Sequence, residues 1–221
     1  MSLLSLAELN RVEMLQLSKE RELSDPDPDM WRWSPLEIEE FARMLNVARQ
    51  AAMDGLRRLT LMEAGSGIGT KLYLAQYHFG MSAYGYEIND EYIELAKDLN
   101  VNTVKCDLRE EHPKWEDADI VYIARPFKDD AFEVSWELEV MRRMRPGRVL
   151  ISAYAAVKPY DWFCIYRAPF RGVWVKPKKQ NLDRVEITTD EDAVLASTRT
   201  PVYNAMIHRT TTGSDPLVPE P

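Results

Sequence analysis

Cysteine is nearly absent, with two in 221 residues, and histidine is scarce, with three. Cys106 and Cys164 both fall in apolar, strand-like contexts and are expected to be buried thiols. No spacing suggests a disulfide framework or a metal site. No run of 18 uncharged apolar residues exists, which excludes a membrane-spanning helix. Glu8, Arg11 and Glu13 interrupt the first apolar stretch and argue against a secretory signal, so a reducing cytoplasm is the expected setting. A surplus of basic charge is missing too: 28 Lys and Arg face 36 Asp and Glu, for a net charge of −8. Residues 1–30 and 181–221 each carry seven acids against three bases, leaving 22 of each between them. That balance speaks against a large nucleic-acid interface, which wants a basic face. A local basic cluster does exist: Arg142, Arg143, Arg145 and Arg148, then Arg167, Arg171, Lys176, Lys178 and Lys179. It reads first as a solvated helix end and hairpin.

Glycine is also sparse, at nine, yet three fall within five residues. The run Leu59-Thr60-Leu61-Met62 stops at Glu63, Gly65, Gly67 and Gly69 follow at alternate positions, and a helical pattern begins at once. Without Cβ the backbone can turn sharply and a ligand can lie against it. The free N–H groups of the following helix favour an anion. A second apolar run, Ser82 to Tyr86, ends at Glu87, and a third, Val101 to Cys106, ends at Asp107. Successive strands of a parallel sheet end along one crevice, where open α/β sheets bind ligands. Glu63, Glu87 and Asp107 are therefore expected around one pocket, with Glu87 placed to hold the two hydroxyls of a ribose. Each acid taken alone has an ordinary reading as a helix-start or turn residue; the coincidence at three consecutive strand ends carries the signal.

A nicotinamide-binding loop reads G-x-G-x-x-G, which would need glycine at Thr70. The frame present is acid-x-G-x-G-x-G, through Glu63, Gly65, Gly67 and Gly69, and it resembles motif I of the class I S-adenosylmethionine-dependent methyltransferases. Tyr86-Glu87-Ile88 resembles that family's acidic residue after the second strand, and Cys106-Asp107-Leu108 its adenine-contacting aspartate after the third. The resemblance covers about residues 35 to 180. It implies S-adenosylmethionine as cofactor, held by Glu63, Gly65, Ser66, Gly67, Gly69, Glu87, Ile88, Asp107, Leu108 and Ala124.

The rest of the chain fits an α/β organisation. Residues 1–30 read as a helical arm, with apolar positions from Leu3 to Leu17, and a stiff linker, Ser24 to Asp29. Trp31 and Trp33 precede Ser34-Pro35-Leu36-Glu37, a strong helix start, and that helix runs to about Asp54. Residues 31–180 form the expected methyltransferase-like domain: Ala118 to Ala124 is a fourth strand, 129–145 a helix and Val149 to Ala153 a fifth strand. Trp162 to Tyr166 and Val173 to Val175 form a hairpin. Strand–helix alternation closed by a hairpin predicts a Rossmann-like, seven-stranded, mostly parallel sheet with a terminal antiparallel hairpin. Residues 181–221 are an extension with short candidate strands at Val185–Ile187 and Ala205–Ile207 and a flexible-tail composition at the end.

The methyl acceptor is expected beside Ala124-Arg125-Pro126-Phe127, after the fourth strand. In nucleic-acid amino methyltransferases, the resemblance implies, Asp or Asn, Pro-Pro and an aromatic stand here. This chain has Ala124, which offers no side-chain acceptor, so base amino methylation is disfavoured. Arg125 can anchor a carboxylate or phosphate in bidentate fashion or pair with Asp129 or Asp130. Phe127, Asp129 and Tyr154 complete the acceptor-side candidates. The expected activity is methyl transfer to a small molecule or a protein side chain, with no membrane partner and the arm as a contact for homo-oligomers. The alternatives are a non-catalytic binding or assembly protein on the same fold and a nucleic-acid methyltransferase tracking the basic cluster.

Overall fold

The computed structural model describes residues 3–20, 36–52, 57–111, 113–154, 156–159, 161–177 and 185–187, which all fall within one unit, Met1–Thr188. Trp31, Trp33, Ser34, Pro35, His112, Lys178, Lys179 and the Ala205–Ile207 segment lie outside the described residues. The central strands β1 (Thr60–Ala64), β4 (Ile120–Ile123) and β5 (Val149–Ala153) are almost wholly buried. Their unbroken apolar sequences suit a parallel sheet covered on both faces. With β2 (Ser82–Glu87), β3 (Asn102–Lys105), β7 (Phe163–Ala168) and β8 (Arg171–Val175) they form a seven-stranded sheet in the order β3-β2-β1-β4-β5-β8-β7. Every pairing from β3 to β5 is parallel, and β8 alone runs against its neighbours β5 and β7. The expected sheet and its hairpin are present. A separate two-stranded ribbon pairs β6 (Val157–Pro159) with β9 (Val185–Ile187); β9 is one of the expected short strands and β6 was not anticipated.

Alternation along the central strands sends neighbouring side chains to opposite faces. Leu61, Tyr122, Ile151 and Val173 pack beneath helices α1 (Leu6–Glu20) and α2 (Ile38–Ala52) with Leu9, Phe41, Met44 and Leu45. The apolar positions of α2 recur at helical spacing, which is why that face is buried. Met62, Val121, Ile123 and Leu150 pack on the other side with Trp115, Phe127, Trp136, Trp162 and Trp174, around α5 (Asp130–Arg143). Helix α5 starts at Asp129, whose carboxylate accepts the Phe132 N–H at 2.9 Å. It ends on Lys176, whose buried ammonium donates to the carbonyls of Met141, Arg142 and Met144 at 2.7, 2.9 and 2.5 Å. Burial lowers that ammonium to about 8.

The basic cluster does not form one surface. Arg148 and Arg57 pair with the buried Asp119 at the amino edge of the sheet, Arg145 pairs with Asp117, and Arg142 and Arg143 pair with Glu139 on α5. Arg171 begins β8 opposite Ala153, at the other end of β5. Five strand residues at about 3.3 Å each separate the two groups by roughly 17 Å. Lys176 is a buried helix cap, so the solvated reading fails for it. The expectation for Cys164 also needs correction: it is exposed, while Cys106 is buried. Strand β7 is the sheet edge, and a bulge between Cys164 and Tyr166 leaves the Cys164 thiol donating to the Tyr166 carbonyl at 3.3 Å. Among the described residues, no helix is long and apolar enough to cross a membrane.

Candidate cofactor site at the carboxyl edge

The strand order reverses between β2-β1 and β4-β5, so β1 and β4 flank the point where an open sheet leaves a crevice at its carboxyl edge. The glycine loop sits there. Gly65, Gly67 and Gly69 have φ of 67°, 53° and 80°, all left-handed, so each is glycine for its backbone. They differ in what surrounds them. A Cβ on Gly69 would stand 2.6 Å from Val101 Cγ2, so close packing on β3's approach forbids it. A Cβ on Gly65 would meet only Pro126, at 3.9 Å, an ordinary contact with the segment after β4. Ser66, buried, donates its N–H to the Tyr86 carbonyl at 2.9 Å and ties the loop to β2.

Glu87 locks the same loop. Its carboxylate, buried at the end of β2, accepts the Gly67 N–H at 2.8 Å through one oxygen. The other accepts the N–H groups of Ile88 and Asn89, each at 2.9 Å. One acid thus joins the turn after β1 to the turn after β2. Glu63 lies one residue inside β1 and points to the α1/α3 side, where α3 (Thr70–Tyr73) opens and continues as a π-turn through Leu74–His78. Burial holds its carboxyl well above the usual range; nearby Lys71 opposes this, and Glu13 and Glu87 add to it. Burial thus favours the protonated form of Glu63. Its Oε2 is buried without a hydrogen-bond partner. Asp107 stands two residues beyond β3, its oxygens forked by the Arg109 guanidinium at 2.8–3.2 Å, and that pairing lowers its carboxyl. Leu108 is buried in the aromatic-rich core, and Ala124 packs partly against the opposite one.

Glu13 joins this edge from the arm, a contact not anticipated from the sequence. It is buried, and Oε1 accepts both Thr70 Oγ1–H and Lys71 Nζ–H just after the last glycine. Leu4 anchors the same arm, its N–H donating to Tyr73 Oη at 3.0 Å and its carbonyl 2.7 Å from His78 Nε2. A charged residue at a buried position of an apolar helix was the available signal.

The acceptor-side candidates separate. Arg125 has φ of 48°, is buried, and pairs with Asp130. Phe127 is 2% exposed and stacks edge-on against Phe132 and Trp136, with centroids at 4.9 and 5.3 Å. Asp129 is occupied as the α5 cap. Tyr154, after β5, also has a left-handed backbone (φ 56°), and burial raises its phenol. Two glutamates that sequence reasoning passed over lie behind them. Glu133 and Glu137 are one helical turn apart on α5 and fully buried. Glu133 accepts the Phe127 N–H at 2.8 Å, and Glu137 accepts those of Ala156 and Val157 at 3.0 and 2.6 Å. The pair staples the loops after β4 and β5 to one helix.

No family model matches the sequence, and no curated protein matches it significantly. Solved structures do match the fold. An RNA methyltransferase from Salinibacter ruber, in complex with S-adenosylhomocysteine, superposes with a TM-score of 0.50 and 19% identity, over 68% of this chain and 100% of that one. The fold is that of the class I methyltransferases. A protein from Listeria monocytogenes named for that class gives a TM-score of 0.53 and 15% identity, over 92% of this chain and 80% of that one.

Proposed function

We propose that this methyltransferase-fold chain binds S-adenosylmethionine at the carboxyl edge of β1, β2 and β4 and transfers its methyl group to a small molecule or a protein side chain. The observation that carries the reading is the Gly67 N–H to Glu87 bond. It joins a left-handed glycine turn to the acid expected at a ribose. Gly65, Ser66, Gly67 and Gly69 would cradle the amino-acid end, Glu87 and Ile88 the ribose, and Asp107 and Leu108 the adenine. Glu63 beneath the loop and Ala124 at the end of β4 complete the lining. The bound cofactor would supply an electrophilic methyl on a sulfonium. The chain's own task is to align the acceptor and exclude water, which can contribute several kcal/mol, up to about 7–11. Arg125 and Tyr154 are the acceptor-side residues, positioned by Asp130, Asp129 and the Glu133–Glu137 pair; Phe127 supports them from the core.

Calorimetry with S-adenosylmethionine tests this reading. Glu87→Ala should weaken binding by about tenfold or more, the worth of charge-assisted hydrogen bonds. No measurable heat with the unaltered chain would overturn it. The non-catalytic alternative is favoured by one observation: Arg125 pairs within the chain and Phe127 is packed in the core. It predicts cofactor binding with no methyl transferred to any small-molecule or protein fraction. The nucleic-acid reading is weakened by the division of the basic cluster between opposite edges of the sheet.

A further inference from the structure

A second feature of the carboxyl edge lies across the sheet from the glycine loop. The ends of β5 and β7, the start of β8 and strand β6 enclose a cleft of about 500 Å³. Such a volume suits a small-molecule site. Ser152, Trp174 and Phe170 line it with two cations, Arg167 and Lys158. Arg171 borders it as well, but alternation along β8 turns its guanidinium to the α2 side, beside Glu40. None of the lining residues is acidic.

The floor is built for this concavity. Gly172 faces Ser152 across β5 and β8, and a Cβ there would stand 2.7 Å from Trp174 Nε1. Glycine therefore lets the indole lie over the strand, where its N–H donates to Ser152 Oγ at 3.2 Å. With that donor spent, the ring presents an apolar wall. The Arg171 side chain belongs to the α2 face of the sheet. Glu40, the carboxylate nearest Arg171, is already engaged by Arg43 at 2.6 Å and by the Tyr166 hydroxyl at 2.7 Å. It stands 3.8 Å from Arg171 Nη1, too far for a hydrogen bond. Arg167 is exposed on the cleft side of β7, in register with Gly172. Lys158 Nζ sits 5.9 Å over the Phe170 ring, holding that charge at the rim.

We propose that this cleft binds the anionic group of a small molecule, a phosphate or a carboxylate, with Arg167 as its donor, Lys158 adding positive charge at the rim, and Trp174 and Phe170 against its apolar part. Identifying that molecule as the methyl acceptor rests on the methyl-transfer reading above. The placement suits it: in register, Ser152 is level with Ile123 of β4. Neighbouring strands lie about 4.8 Å apart. An acceptor anchored over β5 and β8 would thus reach the end of β4 within the length of a metabolite.

The test uses the full chain and two probes, phenyl phosphate and benzoate, with phenol as the uncharged control, followed by calorimetry. At least one anion should bind saturably, with affinity falling as salt is raised, and phenol should not; comparing the two anions tells phosphate from carboxylate. Arg167→Glu, at an exposed position, should weaken binding by about tenfold or more. Arg142→Glu, in the other half of the basic cluster, should leave it unchanged. Absence of saturable binding by either anion, or equal binding by the Arg167→Glu chain, would overturn the site. So would an oligonucleotide that binds more tightly than both probes and is weakened by Arg142→Glu, because the ligand would then be a polymer along both edges. The same samples titrated with S-adenosylmethionine separate the two readings: anion binding without cofactor binding retains the cleft and removes methyl transfer.

Discussion

Glu137 gives the sharpest test of how the acceptor side is held together. Its carboxyl is wholly buried beside Glu133, and burial, opposed by its hydrogen bonds to Glu133 and to the Ala156 and Val157 N–H groups, raises it from 4.5 to about 7. Glu133 is raised too, by burial first and then by Glu137. Two carboxylates in contact cannot both ionise cheaply, so the folded chain retains a proton that the unfolded chain has lost. The folded value is the higher one. The stability linked to that proton is therefore complete below pH 4.5 and lost as pH rises through about 7. A displacement of that size corresponds to roughly 3 kcal/mol. Urea melts of the unaltered chain and Glu137→Gln, taken between pH 4.5 and 7, provide the assay. Glutamine cannot titrate, yet its carbonyl can still accept one of the two N–H groups. The variant should lose about 1 kcal/mol at the acid end for the missing acceptor. It should then fall less steeply as pH rises. Glu133 retains part of the dependence through its own burial, so the Glu133→Gln, Glu137→Gln double variant should remove the remainder. Equal slopes for all three chains would refute a shared buried proton. Melts below this window report Asp119 instead, whose carboxyl Arg57, the Thr60 N–H and Arg148 lower against the upward push of burial.

Other perturbations test the glycine loop and the arm. Glu13→Ala leaves Lys71 with its charge buried and should destabilise the chain by about 3–5 kcal/mol in chemical denaturation; faster amide exchange within 6–20 should accompany it, and an unchanged midpoint would remove Glu13 as an anchor. Gly69→Ala places a methyl 2.6 Å from Val101 Cγ2 at φ of 80°, and should cost about 2–4 kcal/mol in the same assay. Gly65→Ala carries a similar backbone strain but meets only Pro126 at 3.9 Å, so its stability loss should be the smaller of the two and its loss of S-adenosylmethionine affinity the larger.

The parallel sheet, its terminal hairpin and the glycine turn were legible in the sequence because each depends on local chemistry. Apolar runs such as Ile120–Ile123 have one stable use, as strands buried on both faces. Glycines at alternate positions after a strand mark left-handed backbone wherever the chain goes next. Charged side chains inside helices did not announce their partners. Glu13 is separated from Thr70 by 57 residues and Glu137 from Val157 by 20, so only packing of helix on sheet brings them together. The basic cluster divides for the same reason: Arg148 precedes β5 at the amino edge, Arg167 and Arg171 flank the β7–β8 turn at the carboxyl edge, and Lys176 folds inward to cap α5. Composition determined that the chain can fill a core and carries a nucleotide-type turn. Tertiary structure decided which acids lock that turn, which aromatic is buried rather than offered to a ligand, and where cations face open space. The difference is physical. A strand or turn is selected by side chains within a few residues, whereas a buried carboxylate is stable only where distant N–H groups and cations converge on it.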